Sequence, residues 1–266
     1  MAFDSSFPRA VGFLLGEVQK AGGADLEPLG TFFVLQIQSD ADAFAAMVTS
    51  RHVVADQSVV IARLQDASGA PIEWDVSEWI FPANDRFDWA VRPFEPPTTA
   101  QGPFTAVPDW QAHEVVNVGP KAGTTVYFPG LLTGVPSLVT NATPVVRSGS
   151  VAAWEQSGVT WTTRVAPSEV KRWTADRVHL VDVRSWGGFS GSPCFLQFQT
   201  PGPRRQKWPD LWFELARAAG NDPEDLGEIH TFTVWFGMFA AHIEESGIGV
   251  IVPSGSILDL IHGEMA

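Results

Sequence analysis

Thr31-Phe32-Phe33-Val34-Leu35-Gln36-Ile37-Gln38, then Ser39-Asp40-Ala41-Asp42, then Ala43-Phe44-Ala45-Ala46-Met47-Val48-Thr49, is the stretch that decides the fold. Two runs of apolar, branched and aromatic residues flank four small or polar residues suited to chain reversal, which reads as strand, turn, strand. The same texture recurs around it, at Ala10–Val18, Val59–Leu64, Ile72–Val76 and Trp89–Arg92, with turn clusters at Ala21-Gly22-Gly23 and Ala67-Ser68-Gly69. Six short strands make one barrel-sized set.

The stretch from Glu95 to Pro103 is too proline-rich for a central strand and stiff enough for a linker. It divides the chain into an N-terminal β-barrel over residues 1–94, a linker over 95–112 and a C-terminal β-barrel over 113–266. Strands of the second set are expected at Glu114–Val118, Thr124–Phe128, Pro144–Arg147, Val159–Thr163, His179–Val183, Cys194–Phe198, Thr231–Phe236 and Ile248–Val252. A helix from Pro209 to Ala219, followed by Gly220, reads as part of an insertion at about 200–229. A short C-terminal helix capped by Ser254 or Ser256 and stopped by Gly263 is expected to pack on the second barrel. The fold class is therefore all-β, two packed antiparallel barrels with a helical insertion.

Composition agrees. Of 266 residues, 45% are hydrophobic and 18% charged, and the 24 Gly and 20 Pro are dispersed, which excludes collagen-like and low-complexity chains. Seventeen basic against thirty acidic residues give a net charge of −13, which repels a phosphate backbone, so no nucleic-acid partner is expected. The basic knot Arg204, Arg205, Lys207 reads as a solvated loop. The single cysteine, Cys194, has no intrachain disulfide partner and reads as a small buried apolar residue, which allows a reducing compartment. Asp4 and the short apolar run Val11–Leu15 do not fit a secretory signal, and no run approaches the roughly 18 apolar residues that span a bilayer. A cytoplasmic location without a membrane partner is the expectation. The sequon Asn141-Ala142-Thr143 then reads as chance.

Three segments carry candidate chemistry. Gly187-Gly188-Phe189-Ser190-Gly191-Ser192-Pro193 puts a serine among glycines, where the backbone can turn sharply and present N–H groups to a developing oxyanion. On its own such a loop is more often an ordinary hairpin. His52 follows the apolar strand end Met47-Val48-Thr49, and Asp88 lies between Phe87 and Trp89, whose bulk would shield a carboxylate beside a cationic partner. Each alone has a bland structural reading. Together, in the chain order His, Asp, Ser, with the first two in one β set and the third in the other, they are far more specific.

With Gly30-Thr31-Phe32-Phe33-Val34, Val48-Thr49-Ser50-Arg51-His52-Val53-Val54, Asp88-Trp89-Ala90-Val91 and Gly188-Phe189-Ser190-Gly191-Ser192-Pro193, the sequence resembles the trypsin-like (chymotrypsin-fold) serine proteases. The similarity is to their disulfide-free bacterial branch, which includes the protease core of the Deg-type proteins. It extends from about Gly12 to Ile261, with further echoes at Pro144–Gly149 and Gly247–Pro253. The resemblance implies two six-stranded antiparallel barrels with the active site between them. It also implies Ser190 as nucleophile, His52 as general base then acid, Asp88 as orienting carboxylate, and the N–H groups of Gly188 and Ser190 as oxyanion hole.

Departures matter too. Phe189 stands where digestive members carry an aspartate that pairs with a released N-terminus, so activation by N-terminal insertion is not expected. Arg184, six residues before Ser190, aligns with the base of the specificity pocket, where a guanidinium would favour cleavage after Asp or Glu. His242, in the strand that also carries Ala240, is a second candidate contact to substrate. The remaining histidines lack metal-ligand spacing, and no phosphate-binding glycine loop is present, so neither metal nor cofactor is expected. The expected function is a serine endopeptidase acting on polypeptides under strict specificity or a regulatory protein partner. The alternative is a catalytically silent protease-fold scaffold with Trp208–Phe213 as partner surface.

Overall fold

The computed structural model describes residues 7–20, 23–38, 43–55, 60–96, 104–109, 120–133, 135–166, 169–183, 187–199, 231–243 and 246–265. Phe32 to Leu35 form an unbroken buried run because the strand that holds them is covered on both faces. One face, Phe32 and Val34, enters the interior of the first barrel with Leu14, Met47 and Ala62. The other, Phe33, Leu35 and Ile37, packs at the seam between barrels with Trp235 and Met238. Phe33 meets Trp235 edge to face at 5.5 Å.

That strand, β2 (Gly23–Gln38), pairs with β1 (Val11–Lys20) in a long hairpin. Pro28 hid its first half in the sequence. The register shifts between Leu14 and Leu15, so that Gly30 and Pro28 face consecutive partners and Leu29 bulges out, which accommodates the proline. With β3 (Ala43–Thr49), β4 (Val60–Gln65), β5 (Pro71–Val76) and β6 (Ala90–Pro93), the first sheet runs β5-β4-β1-β2-β3-β6. Paired backbone hydrogen bonds between Ile80 and Val91 join the segment after β5 to β6, drawing the two ends of the sheet together.

Parts of the stretch read as linker lie on the first barrel. Val107–Pro108 form β7, parallel to β2, and Asp109 accepts the Gln38 N–H at 3.0 Å. The second sheet is a closed barrel of six antiparallel strands in the order β12-β15-β14-β13-β8-β9. These are β8 (Thr125–Gly130), β9 (Val145–Gln156), β12 (Val178–Asp182), β13 (Ser192–Gln199), β14 (Thr231–Ile243) and β15 (Ile248–Pro253). β14 runs seven residues beyond the expected Phe236 and β9 nine beyond Arg147, because pairing on both sides outweighs local turn signals.

Two further strands, β10 (Thr160–Ala166) and β11 (Glu169–Thr174), form their own two-stranded sheet outside both barrels. The sequence reading placed the first as a barrel strand and missed the second. Among the described residues the α-helices are α1 (Arg51–Val54), a single turn, α2 (Pro136–Thr140), which was not expected, and α3 (Ser254–Glu264). Pro253 rather than a serine precedes α3, and Ser254 is already helical and buried. The helix passes through Gly263 because Ile257, Leu258 and Ile261 bury its face, and packing rather than a cap sets its length. It touches β14, β15 and also β6 of the first sheet. The expected strand Glu114–Val118 and helix Pro209–Ala219 lie outside the described residues.

Candidate active site

The chain leaves β3 at Thr49 and turns at once into α1, which points the next side chains toward the seam. His52 donates from its backbone N to Asp88 Oδ1 at 3.0 Å, and its Nδ1 lies 3.0 Å and 2.9 Å from the two carboxylate oxygens. A carboxylate only accepts, so Nδ1 carries the proton and Nε2 is left with a lone pair facing away from Asp88. Asp88 is fully buried, while the His52 side chain keeps 12% of its surface in contact with solvent. A buried carboxylate is tolerable only when its oxygens are ligated. A third donor comes from outside this pair, since Trp161 Nε1 in β10 reaches Asp88 Oδ2 at 3.3 Å. Trp173 of β11 sets its ring 6.2 Å from the imidazole.

The serine loop reaches the same place from the other barrel. Thr31 N donates to the Ser190 carbonyl at 2.9 Å, and Thr31 Oγ1 donates to the Gly188 carbonyl at 2.7 Å. The same hydroxyl accepts the Leu131 N–H at 2.9 Å. Fully buried Thr31 thus ties the first barrel to two residues of the loop and to the end of β8. Gly30 is wedged between Val53, next to His52, and the Ser190 carbonyl, so the histidine turn and the serine loop lie on either side of one glycine.

Glycine is required at two loop positions. Gly188 has φ +102° and Gly191 φ +91°, and a Cβ on Gly191 would overlap the Thr31 carbonyl oxygen. Phe189 is buried against Phe128, ring centroids 5.6 Å apart, so apolar packing anchors the loop at this position. Among the described residues the N–H groups of Gly188 and Ser190 have no acceptor, and no hydrogen bond joins Ser190 Oγ to His52 Nε2.

His52, Asp88, Gly188 and Ser190 are therefore brought to one seam. Arg184 lies outside the described residues. His242 pairs with Gly249 near the end of β14, and its Nε2 is buried without a hydrogen-bond partner. Ala240 is fully buried in the core at the seam. No cluster of three or more His, Cys, Asp or Glu suited to a metal occurs among the described residues. Sequence reasoning missed Thr31, Trp161 and Trp173. Only the cross-strand pairing of Trp161 with Trp173 could have hinted that the two tryptophans share a face.

No family model and no curated protein sequence matches the chain. Solved structures do. The MamO protease domain from Magnetospirillum magneticum superposes with a TM-score of 0.55 at 15% identity, covering 97% of this chain and 98% of that one. The fold is that of the chymotrypsin-like serine proteases. The HtrA-type protease AlgW, solved with a decapeptide, shares this chymotrypsin-like fold at TM-score 0.55 and 15% identity, covering 97% of this chain and 65% of its own. Deg5 does so at 0.54 and 14%, covering 96% and 88%. At these identities the likeness establishes the chymotrypsin-like architecture, while the chemistry rests on the side chains.

Proposed function

We propose that the protein is a serine endopeptidase. Ser190 Oγ attacks the scissile carbonyl carbon while His52 Nε2 takes the hydroxyl proton, and the tetrahedral oxyanion lodges between the N–H groups of Gly188 and Ser190. Collapse expels the amine, which leaves with the proton from His52, and an acyl-enzyme remains on Ser190. Water then attacks with His52 again as base, releasing the acid and restoring the serine. Asp88 holds the imidazole in the tautomer that exposes Nε2 and stabilises the imidazolium formed at each step.

The observation that carries this reading is the buried Asp88 carboxylate bonded to His52 Nδ1 at 2.9 Å, on a turn that shares Gly30 with the serine loop. The proposed substrate class is a polypeptide, which the decapeptide solved with AlgW supports. Cleavage after Asp or Glu rests on Arg184 in the sequence and on the unpartnered His242 Nε2. A peptide panel varying the residue before the cut tests it, and a preference for Lys, Arg or Phe there rejects it. We also propose a reducing, cytoplasmic location, which cell fractionation checks.

One observation favours a second reading, a silent protease-fold binding protein: the hydrogen bond from Ser190 Oγ to His52 Nε2 is not made. Resting enzymes often tighten this contact only with substrate bound. Fluorophosphonate labelling read by intact mass separates the two. The endopeptidase gains one adduct that Ser190→Ala abolishes and His52→Ala slows at least a hundredfold. An unlabelled wild-type protein would leave the binding reading.

A further inference from the structure

The carboxylate of Asp88 is gripped at both ends. Oδ1 takes the His52 backbone N–H at 3.0 Å, and Oδ2 takes the Trp161 indole N–H at 3.3 Å, while His52 Nδ1 sits almost midway, 3.0 Å and 2.9 Å from the two oxygens. Two donors on opposite oxygens stop the carboxylate from rotating about Cβ–Cγ, and the plane of the carboxylate fixes the plane of the imidazole. Among the described residues Trp161 is the only donor to Asp88 that does not belong to His52. It is 3% exposed, so no water can easily take its place.

Trp161 comes from the β10–β11 hairpin, which belongs to neither barrel. Opposite it across the hairpin is Trp173, the ring that faces His52, so one cross-strand pair covers both members of the His52–Asp88 couple. The hairpin is tied to the Asp88 segment where Thr174 N donates to the Arg86 carbonyl at 2.9 Å. Of the charged side chains on neighbouring positions, Lys171 lies over the Trp173 ring, Arg51 stacks over Phe81 with its Nε and Nη1 making no hydrogen bond, and Arg172 bonds Thr160.

We propose that Trp161 is a positioning residue that acts through Asp88 to hold the His52 imidazole in line for its proton transfers. Without the indole N–H, Oδ2 loses its outer donor, the carboxylate turns toward the His52 backbone, and the ring tilts with it. The inference rests on the endopeptidase reading for its kinetic consequence but not for its geometric one.

The test uses the full chain with Trp161→Phe, and Trp74→Phe as control, because the Trp74 Nε1 has no acceptor and lies in the first barrel. Peptide hydrolysis and the downfield proton resonance of His52 Nδ1–H are read in parallel. Trp161→Phe should lower kcat three- to tenfold with KM within twofold and shift or broaden the Nδ1–H resonance, while Trp74→Phe leaves both unchanged. An Nδ1–H resonance that stays at its wild-type position in Trp161→Phe overturns the proposal, with or without activity. If the wild type proves inactive, only the endopeptidase reading falls, and a moved resonance still supports the positioning role. Should Trp161→Phe fail to fold, the Trp161 indole N–H resonance is compared between wild type and Asp88→Asn. A shift upon loss of the carboxylate charge supports the contact, and an unmoved signal refutes it.

Discussion

Replacing Thr31 with valine keeps the shape of the side chain and deletes one oxygen, which makes it the sharpest probe of how the two barrels are joined. In the native protein that oxygen donates to the Gly188 carbonyl at 2.7 Å and accepts the Leu131 N–H at 2.9 Å. Leu131 is fully buried, so its N–H is left without any acceptor, at about 1–3 kcal/mol. Gly188 is only half-buried and its carbonyl can recruit water, so that side costs about 1 kcal/mol. The expected destabilisation is about 2–4 kcal/mol, or roughly 5–15 °C in Tm for a chain of this size. Thr31→Ser keeps the oxygen and loses one methyl, at about 1 kcal/mol. Urea unfolding followed by tryptophan fluorescence gives the stabilities, and the rate of fluorophosphonate labelling reports the serine loop. Valine should slow labelling at least tenfold and serine less than threefold. A valine variant as stable as the serine variant, with an unchanged labelling rate, would refute the idea that this hydroxyl locks the loop.

Gly191→Ala places a Cβ on the Thr31 carbonyl oxygen at φ +91° and should cost about 3 kcal/mol or more in urea unfolding. Gly69→Ala, with φ +85° but open space around it, should cost only about 1 kcal/mol. Asp88→Asn keeps the fold but no longer selects the His52 tautomer, and kcat should fall about 10³–10⁴-fold in a peptide assay. His179, stacked on Trp154 at 3.6 Å and accepting the Glu155 N–H, has its pKa pushed down to about 3 by burial. Its folded pKa lies below the unfolded value, so the unfolded chain binds the extra proton. Its contribution is complete above about pH 6.5 and is lost as pH falls toward 3, at up to about 1.4 kcal/mol per pH unit. Thermal melts between pH 7 and 4 should show a steeper fall for wild type than for His179→Gln.

Strand existence was readable where the chain repeats one short texture, and Ala43–Thr49 matches to the residue. Two polar signals for the site were local: a histidine at a strand end and an aspartate between aromatic rings. What escaped was long-range. Thr31 meets Gly188 across 157 positions, and neither neighbourhood announces the other. β11 reads Glu-Val-Lys-Arg-Trp-Thr, and with Val170 61% exposed it carries no alternating apolar face, since the hairpin buries little besides Trp161 and Trp173. Phe189 was visible as a departure from the protease pattern, but its use as an apolar anchor depends on Phe128 in a distant strand.

The seam between the barrels also acts as an interlock. Val53, beside His52, packs in the first core and Phe189, beside Ser190, in the second, so on the proposed mechanism a chain with either half unfolded would carry an inert serine. On the endopeptidase reading, loss of docking silences the protein before its residual structure is gone, and such a molecule fails safe rather than becoming an unregulated peptidase among its neighbours.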